Sequence, residues 1–447
     1  MADAAVTSGK LLKRLGFAFA AAVGLGAMVG AGLMRTSGSV IDEVPYPWLV
    51  IALWAFGGVH VLLASNVASE LVTSIPKAGG IFVPVRAAFG DSMGLLAGWV
   101  MYLSVGAAGA SLAIVCANFL AILQPSLAGH TAPVACMFLL AIYGLNWLGV
   151  REGGTAQTIG SGVKLILLCG VIGIALFTEP PRPGAFAAAA SNSAPALGMF
   201  AIIIAYQMIY GAYAGWDSAI NFVEEDKNAL TNIPRAMALS IGAVTLVYVL
   251  FNIGILRALD LEVIRSSDLP IALVLGNIFG SKGAIAVAVL AIILASTSLN
   301  ANVMIAPRVL FGLARDGLFL PVATRVNAGG TPHVAFAITA VLTVLMIFSG
   351  GFEFVFRLMG ALAIFGFVIY DASLFRLRWT QPDLPRPFRA IGYPFLPALL
   401  LLLDSALLIA FIAADPASGL YMAALIAICI PVGIFLHRRR QVEAITA

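Results

Sequence analysis

Runs of about twenty apolar residues, the length needed to cross a ~30 Å hydrocarbon layer as a helix, recur along the whole of this chain. Twelve can be read, near 16–38, 48–70, 91–122, 133–150, 156–178, 197–222, 235–257, 283–311, 333–350, 352–376, 395–414 and 417–436. Charged residues are only 10% of the 447 and hydrophobic residues 61%, whereas a soluble domain carries about 25% charged residues. Such a chain cannot cover a water-facing surface, so an all-helical polytopic membrane protein is expected. No polar stretch is long enough for a second, soluble domain, and 1–447 reads as one transmembrane unit. The third and eighth runs are long enough to tilt or to project beyond the bilayer. The basic, then apolar, start KLLKRLGFAFAAAVGLGA has the flavour of a secretory signal, but its apolar run continues past any cleavage site into LMRTSG.

Lysine and arginine in the loops set the expected orientation. With the N-terminus inside, eighteen of them fall in inside segments, among them Lys10, Lys13, Lys77, Arg86, Lys227, Arg315 and Arg438 to Arg440. Five fall outside: Arg35, Arg182, Arg257, Arg265 and Lys282. Both termini are therefore expected in the cytoplasm, with the chain in the inner (cytoplasmic) membrane. The basic balance reflects topology and gives no reason to expect a nucleic acid partner. Cys116, Cys136, Cys169 and Cys429 lie inside the runs without paired spacing, which points to neither a disulfide framework nor a metal site.

Two of the runs are interrupted. GLGAMVGAGLM, residues 24–34, places Gly24, Gly26, Gly30 and Gly32 inside the first, and Gly211 and Gly215 bracket a second interruption in the sixth. In hydrocarbon every backbone N–H and C=O must be bonded internally, so an opened helix needs a reason. The two breaks lie five spans apart, and a duplicated five-helix unit of odd number inserts with inverted topology. Paired interruptions at corresponding positions point to a midplane site in a secondary transporter. The competing reading is close helix packing through small residues, since Gly26–Gly30 and Gly211–Gly215 both have small-xxx-small spacing.

The opened backbone has a definite chemistry. N–H groups around Gly30, Ala31 and Gly32 begin a new half-helix, whose unpaired donors and partial positive charge suit a carboxylate. Carbonyls freed near Met28, Gly211 and Ala214 suit an ammonium group. An α-amino acid presents both charges a few ångströms apart. Lys164, in GSGVKLILL of the fifth span, is an intramembrane cation and so marks function. It reads either as a coupling group that carries protons or as a fixed cation supporting the broken first helix.

Several stretches resemble the amino acid–polyamine–organocation (APC) superfamily. GAMVGAGLMRTSG is similar to its G-S-G-I-F signature, and GAYAGWDSAINFVEEDKNALTNIPRAM to the sixth helix and following loop of L-type amino acid transporter-like members. ASELVTSIPKAGGIFVPVRAAFGDSMGLLAGW, LNANVMIAPRVLFGLARDGLFL and PFRAIGYPFLP agree in order and spacing. The resemblance implies two inverted five-helix repeats, about 16–178 and 197–380, with terminal helices at about 395–436. It also implies alternating access, carboxylate binding at Gly30, Ala31 and Gly32, amine binding at Met28, Gly211 and Ala214, and Lys164 where sodium-independent relatives replace a sodium ion. Three positions depart from the family. Ala31 stands where serine is common, Gly211 where an aromatic gate is common, and Ala229 where a proline is usual. Tyr210, Tyr213 or Trp216 is a candidate substitute for the gate.

Among the other charged residues, Arg35 reads as a mouth residue paired with Asp42 or Glu43, or as a holder of an anionic side chain. Glu224 and Glu225 read as a gate or as salt bridges to loop arginines. Trp216 and Asp217 border the substrate or pack in the core. Ser296, Thr297 and Ser298 bond Lys164 or the substrate, or join helices. Asp404 and Arg357 receive no role. GWVMYLSVGAAGASLAIVCANFL of the third span has no acidic residue for a cationic side chain, which favours neutral substrates. The expected function is sodium-independent transport of neutral amino acids, by exchange or proton coupling, with the lipid bilayer and the substrate as partners and no cofactor. Monomer and homodimer stay open. The alternatives are a polyamine or cationic amino acid carrier, or a transporter-like sensor or channel. An enzyme is disfavoured, because His60, His130, His333 and His437 have no ligand spacing and no G-x-S-x-G or H-E-x-x-H motif occurs.

Overall fold

The computed structural model describes residues 11–30, 32–177, 198–267, 269–280, 282–414 and, in part, 416–427. Ala31, Lys10, Arg182, Cys429, His437, Arg438 to Arg440 and most of the twelfth expected span lie outside these residues, as do the side chains of Arg35 and Arg357. The described chain is helical. Its α-helices are α1 Phe17–Met28, α2 Gly32–Glu43, α3 Pro47–Ser74, α4 Phe82–Phe89, α5 Asp91–Leu123, α6 Thr131–Leu148 and α7 Val150–Phe177. They continue with α8 Met199–Ala212, α9 Ala229–Ala258, α10 Leu261–Arg265, α11 Pro270–Phe279, α12 Lys282–Arg315, α13 His333–Thr380 and α14 Phe395–Ala414. Six of these (α3, α5, α7, α9, α12 and α14) are long and apolar enough to cross a membrane, and shorter apolar helices accompany them. This is a polytopic membrane protein.

Burial separates centre from edge. In α5 and α12, 61% of the most apolar window is buried, against 28% in α14 and 33% in α7. The outer helices leave large apolar side chains uncovered, such as Ile166, Leu402 and Ile409. In a membrane such a surface faces lipid, where exposed hydrocarbon carries no penalty. The short helices α4, α10 and α11 fall between the expected spans, where the apolar pattern had suggested connections only.

One difference concerns α13. Spans were expected at 333–350 and 352–376, but the helical backbone runs unbroken from His333 to Thr380. It does not run straight. Tyr102 Oη donates to Thr339 Oγ1 at 3.3 Å, while a Cβ on Gly366 would stand 3.5 Å from the Val100 side chain. A straight helix would separate residues 339 and 366 by about 40 Å at 1.5 Å per residue, yet both meet neighbouring positions of α5. The run therefore turns back on itself, and its two arms occupy the two expected spans without an intervening loop.

Ion pairs concentrate at the end of the bundle where α3, α12 and α13 finish. Glu70, 1% exposed, accepts from Arg378 Nε at 2.8 Å and Nη2 at 2.6 Å, from Ala390 N at 2.6 Å, and lies 3.2 Å from Arg386 Nε. This carboxylate pins the chain after α13 to α3. Removing one partner of a buried pair leaves the other charge unmatched, at a cost of about 3 kcal/mol. Glu70→Gln is expected to lower the apparent melting temperature of the detergent-solubilised protein by more than Glu224→Gln, whose side chain is 22% exposed. Equal melting curves for the two variants would contradict this account.

Candidate functional site

The first interruption lies between Met28, where α1 ends, and Gly32, from which α2 is described. Val29 departs from helical geometry at φ −78°, ψ 89°, and Gly30 N turns back to Met28 O at 2.9 Å. Opening the helix frees carbonyls at the end of α1, and three side chains from other helices take them up. Lys164 Nζ of α7 donates to Gly26 O at 2.9 Å and to Val29 O. Its third proton goes to Ser298 Oγ of α12 at 2.9 Å. Ser298 Oγ lies 2.8 Å from Gly26 O and 3.1 Å from Val29 O, and 3.2 Å from Leu294 O of its own helix. Tyr248 Oη of α9 stands 2.9 Å from Met28 O and 2.8 Å from Ala212 O, joining the ends of the two interrupted helices.

Lys164 is fully buried. An ammonium has three donors, and all three are used here. Among the described residues it has no carboxylate partner. The partial negative charge at the C-terminal end of α1 takes that role, as a helix end does for a cation in its last turn. At the start of α2 the first-turn N–H groups have no intrahelical acceptors.

The second interruption follows Ala212. The chain leaves the helix through Tyr213 to Asp217 and passes into a 3-10 turn at Ser218–Phe222. Gly215 has φ +94°, a conformation that strains any residue with a Cβ. A Cβ there would also lie 2.8 Å from Ala27 Cβ and 3.1 Å from Ala27 C. Glycine is required on both counts, and the two breaks touch at this point. Gly26 serves a different purpose: a Cβ would overlap the Gln157 and Ser161 side chains of α7, so its role is close helix approach. Packing and opening therefore act on neighbouring glycines of one segment.

A cavity of about 60 Å³ lies beside the second break. Its wall takes Ala214, Trp216, Asp217 and Asn221 from the broken segment, Ser104 and Val105 from α5, Asn302 from α12 and Phe367 from α13. Trp216 packs on Phe367 with ring centroids 5.2 Å apart. Asp217 is buried on this wall and its Oδ2 has no hydrogen-bond partner. Met28, Gly30, Gly32, Gly211 and Tyr213 stand outside this wall, though the first break reaches it through Gly215. Tyr213 points the other way: its hydroxyl donates to Trp54 O at 2.9 Å, and its ring packs against Tyr248 at 5.0 Å. Tyr210, by contrast, lines the cavity.

Glu224 and Glu225 form ion pairs, but with arginines of α12 and not of the loops. Arg315 Nη1 reaches Glu224 at 2.6 Å, and Arg308 Nε, fully buried, reaches Glu225 at 3.1 Å. The same segment pairs with the chain before α1: Leu15 N donates to Glu225 O at 2.9 Å and Lys227 N to Leu15 O at 3.1 Å. Asp42 pairs with Arg265 at 3.1 Å. Ser296 meets Cys116 Sγ at 3.6 Å, and Thr297 bonds its own helix at Ile293 O. Sequence reasoning passed over Tyr248, a single tyrosine in the apolar run LVYVLFN with nothing to separate it from a packed core residue.

The profile of the amino acid permease family matches residues 15–435. The chain is 26% identical over 396 residues to the serine/threonine exchanger SteT of Bacillus subtilis (strain 168), covering 87% of this chain and 89% of that protein. It is 26% identical over 400 residues to the large neutral amino acids transporter small subunit 2 of Rattus norvegicus, covering 85% and 72%. It is 24% identical over 421 residues to the branched-chain amino acid permease BcaP of Bacillus subtilis (strain 168), covering 89% and 88%. These relatives are transporters and not enzymes, and the match along nearly its whole length means that this chain belongs to the amino acid permease family of the APC superfamily.

Proposed function

We propose that this protein is a secondary active transporter that moves neutral amino acids across the cytoplasmic membrane without sodium, by exchange or proton coupling, through alternating access. The observation that carries this reading is the contact between two interrupted helices, Gly215 against Ala27, beside a cavity walled by the second of them. Twelve spans, a five-plus-five inverted repeat and two inside termini complete the proposal. The named relatives carry serine and threonine, large neutral and branched-chain amino acids, which supports a neutral substrate.

In this reading the donors at the start of α2, through Gly30, Ala31 and Gly32, receive the substrate carboxylate, because they lie at the positive end of a helix, and Gly30 N would exchange Met28 O for the ligand. The amine goes to carbonyls of Met28, Gly211 and Ala214, with Trp216 closing over the ligand. Tyr248 already holds Met28 O, so an ammonium would use that oxygen's second lone pair. Lys164 acts as a fixed cation. Its charge stands against the partial negative charge at the C-terminal end of α1, and its three protons are taken by Gly26 O, Val29 O and Ser298 Oγ. The pairs Glu224–Arg315 and Glu225–Arg308 close the cytoplasmic end and must loosen when the site opens inward.

Asp217 favours a second reading. A buried, half-unpartnered carboxylate on the cavity wall suits a substrate with an additional amine, which is the cationic amino acid or polyamine carrier.

Uptake of labelled leucine, serine, alanine and arginine into sodium-free proteoliposomes preloaded with alanine separates these readings. Saturable uptake of a neutral label is expected. Arginine alone would establish the second reading, and no uptake of any label would remove both. Lys164→Met is expected to lower the uptake rate at least tenfold while the protein still elutes as a monodisperse species in size-exclusion chromatography. Gly215→Ala is expected to abolish uptake, since Ala27 would have to move; wild-type uptake from either variant would count against the site.

A further inference from the structure

A second group of buried ionisable residues lies behind the cavity, drawn from four helices. His60 of α3 places Nε2 2.8 Å from Asp404 Oδ1 of α14 and Nδ1 2.7 Å from Tyr206 Oη of α8. Asp371 of α13 stands beside the same Asp404 carboxyl and interacts with it, and its Oδ2 has no hydrogen-bond partner. His60, Asp371 and Asp404 are each no more than 2% exposed. Tyr210 and Tyr370 complete the polar surroundings from α8 and α13, and Asp217 approaches from the cavity side. Among the described residues no lysine or arginine ion pair reaches either aspartate.

Charge counting shows what such a group must do. With every member deprotonated it holds two negative charges and no cation, in a region where each unmatched ion costs several kcal/mol. Two facing carboxyls are compatible only when they share a proton. A second proton on His60 leaves an imidazolium–Asp404 ion pair beside a neutral Asp371, with net charge zero. Tyr206 allows that change without rearrangement. Opposite neutral His60, whose Nε2–H donates to Asp404, the tyrosine hydroxyl donates to Nδ1. Opposite the imidazolium the same hydroxyl accepts from Nδ1–H.

We propose that His60, Asp371 and Asp404 form a proton-binding site that couples amino acid movement to the proton gradient. The inference rests on the transport reading above and gives the coupling ion a place distinct from Lys164. Lys164 is poorly suited to that task, since its three protons are all engaged at the break in the first helix. The proposed site has two lines to the cavity. Tyr210 lines the cavity and packs its ring 5.6 Å from that of His60. Asp371 sits one helical turn beyond Phe367, which packs on Trp216 at the cavity wall. A substrate that shifts Trp216 or Tyr210 therefore acts on the environment of the proton.

The test uses proteoliposomes with a pH dye inside. Counterflow of labelled alanine at equal pH on both sides reports transport alone. Accumulation driven by an alkaline interior, with substrate-dependent acidification of the dye, reports coupling. Wild-type protein is expected to do both. Asp371→Asn and Asp404→Asn are expected to retain counterflow and to lose accumulation at least tenfold. Tyr206→Phe, a milder change, removes a bond from both states of the ring, but the bond to the charged imidazole is the stronger, so half-maximal accumulation is expected to move to more acid pH. Wild-type counterflow without substrate-dependent acidification would overturn the proton site and leave the transport reading intact. Absence of counterflow would overturn both. Undiminished accumulation in both asparagine variants, or an unmoved pH profile in Tyr206→Phe, would also overturn the assignment.

Discussion

An opened backbone inside hydrocarbon has no water to turn to, and the structure depends on how that need is met at the end of α1. Three side chains that are distant in sequence, Lys164, Ser298 and Tyr248, converge on the carbonyls of Gly26, Met28 and Val29. Each unsatisfied carbonyl would cost about 1–3 kcal/mol in a protein interior and more in lipid. The helices that supply these groups, α7, α9 and α12, are thereby fixed around α1. The break is thus also the point through which much of the bundle is tied together.

Close approach is the second constraint. Gly215 against Ala27 and Gly26 against Gln157 and Ser161 bring backbones nearer than any side chain would allow. These contacts let a tyrosine hydroxyl span from Met28 O to Ala212 O, since the two helix ends lie close enough for one oxygen to reach both. At one end of the bundle the buried pair Glu225–Arg308 and the part-buried pair Glu70–Arg378 hold the segments that follow the interrupted and folded-back helices. Burial makes such pairs specific more than it makes them strong.

The polytopic helical class was legible because a span is a local property: twenty apolar residues declare themselves without reference to anything else. The same holds for the two interruptions, where the glycines near 30 and 211–215 mark the ends of α1 and α8 within a residue or two. The reversal within α13 was not legible as a continuous helix, since 333–350 and 352–376 read as two separate spans with Gly351 between them. Long-range pairing was less accessible still. His60 and Asp404 lie 344 residues apart, and each alone is an isolated polar residue in an apolar run. Tyr213 shows the complementary problem: its position beside the break is local, but the direction of its ring is set by Trp54, Gly57 and Tyr248, which are not.

The distribution of charge bears on which ligand such a site can orient. On the side of the first break stand Lys164 and the N-terminal end of α2, both sources of positive potential. On the side of the second stand the C-terminal end of α8 and the carboxylate of Asp217. A zwitterion placed between them would lie with its carboxylate toward α2 and its amine toward α8, and the reverse orientation would be opposed at both ends. Neither end requires contact with the ligand's side chain. The wall from α5, α12 and α13 is left to deal with that side chain. Its composition there, Ser104, Val105, Asn302 and Phe367 among others, is mainly apolar with one hydroxyl and one amide, which suits uncharged side chains of differing shape. A cationic side chain would find Asp217, the one acidic group on the described wall, on the same side as the carbonyls that take the α-amine, so two ammonium groups would crowd one end of the site. For this reason the neutral reading has the stronger physical support.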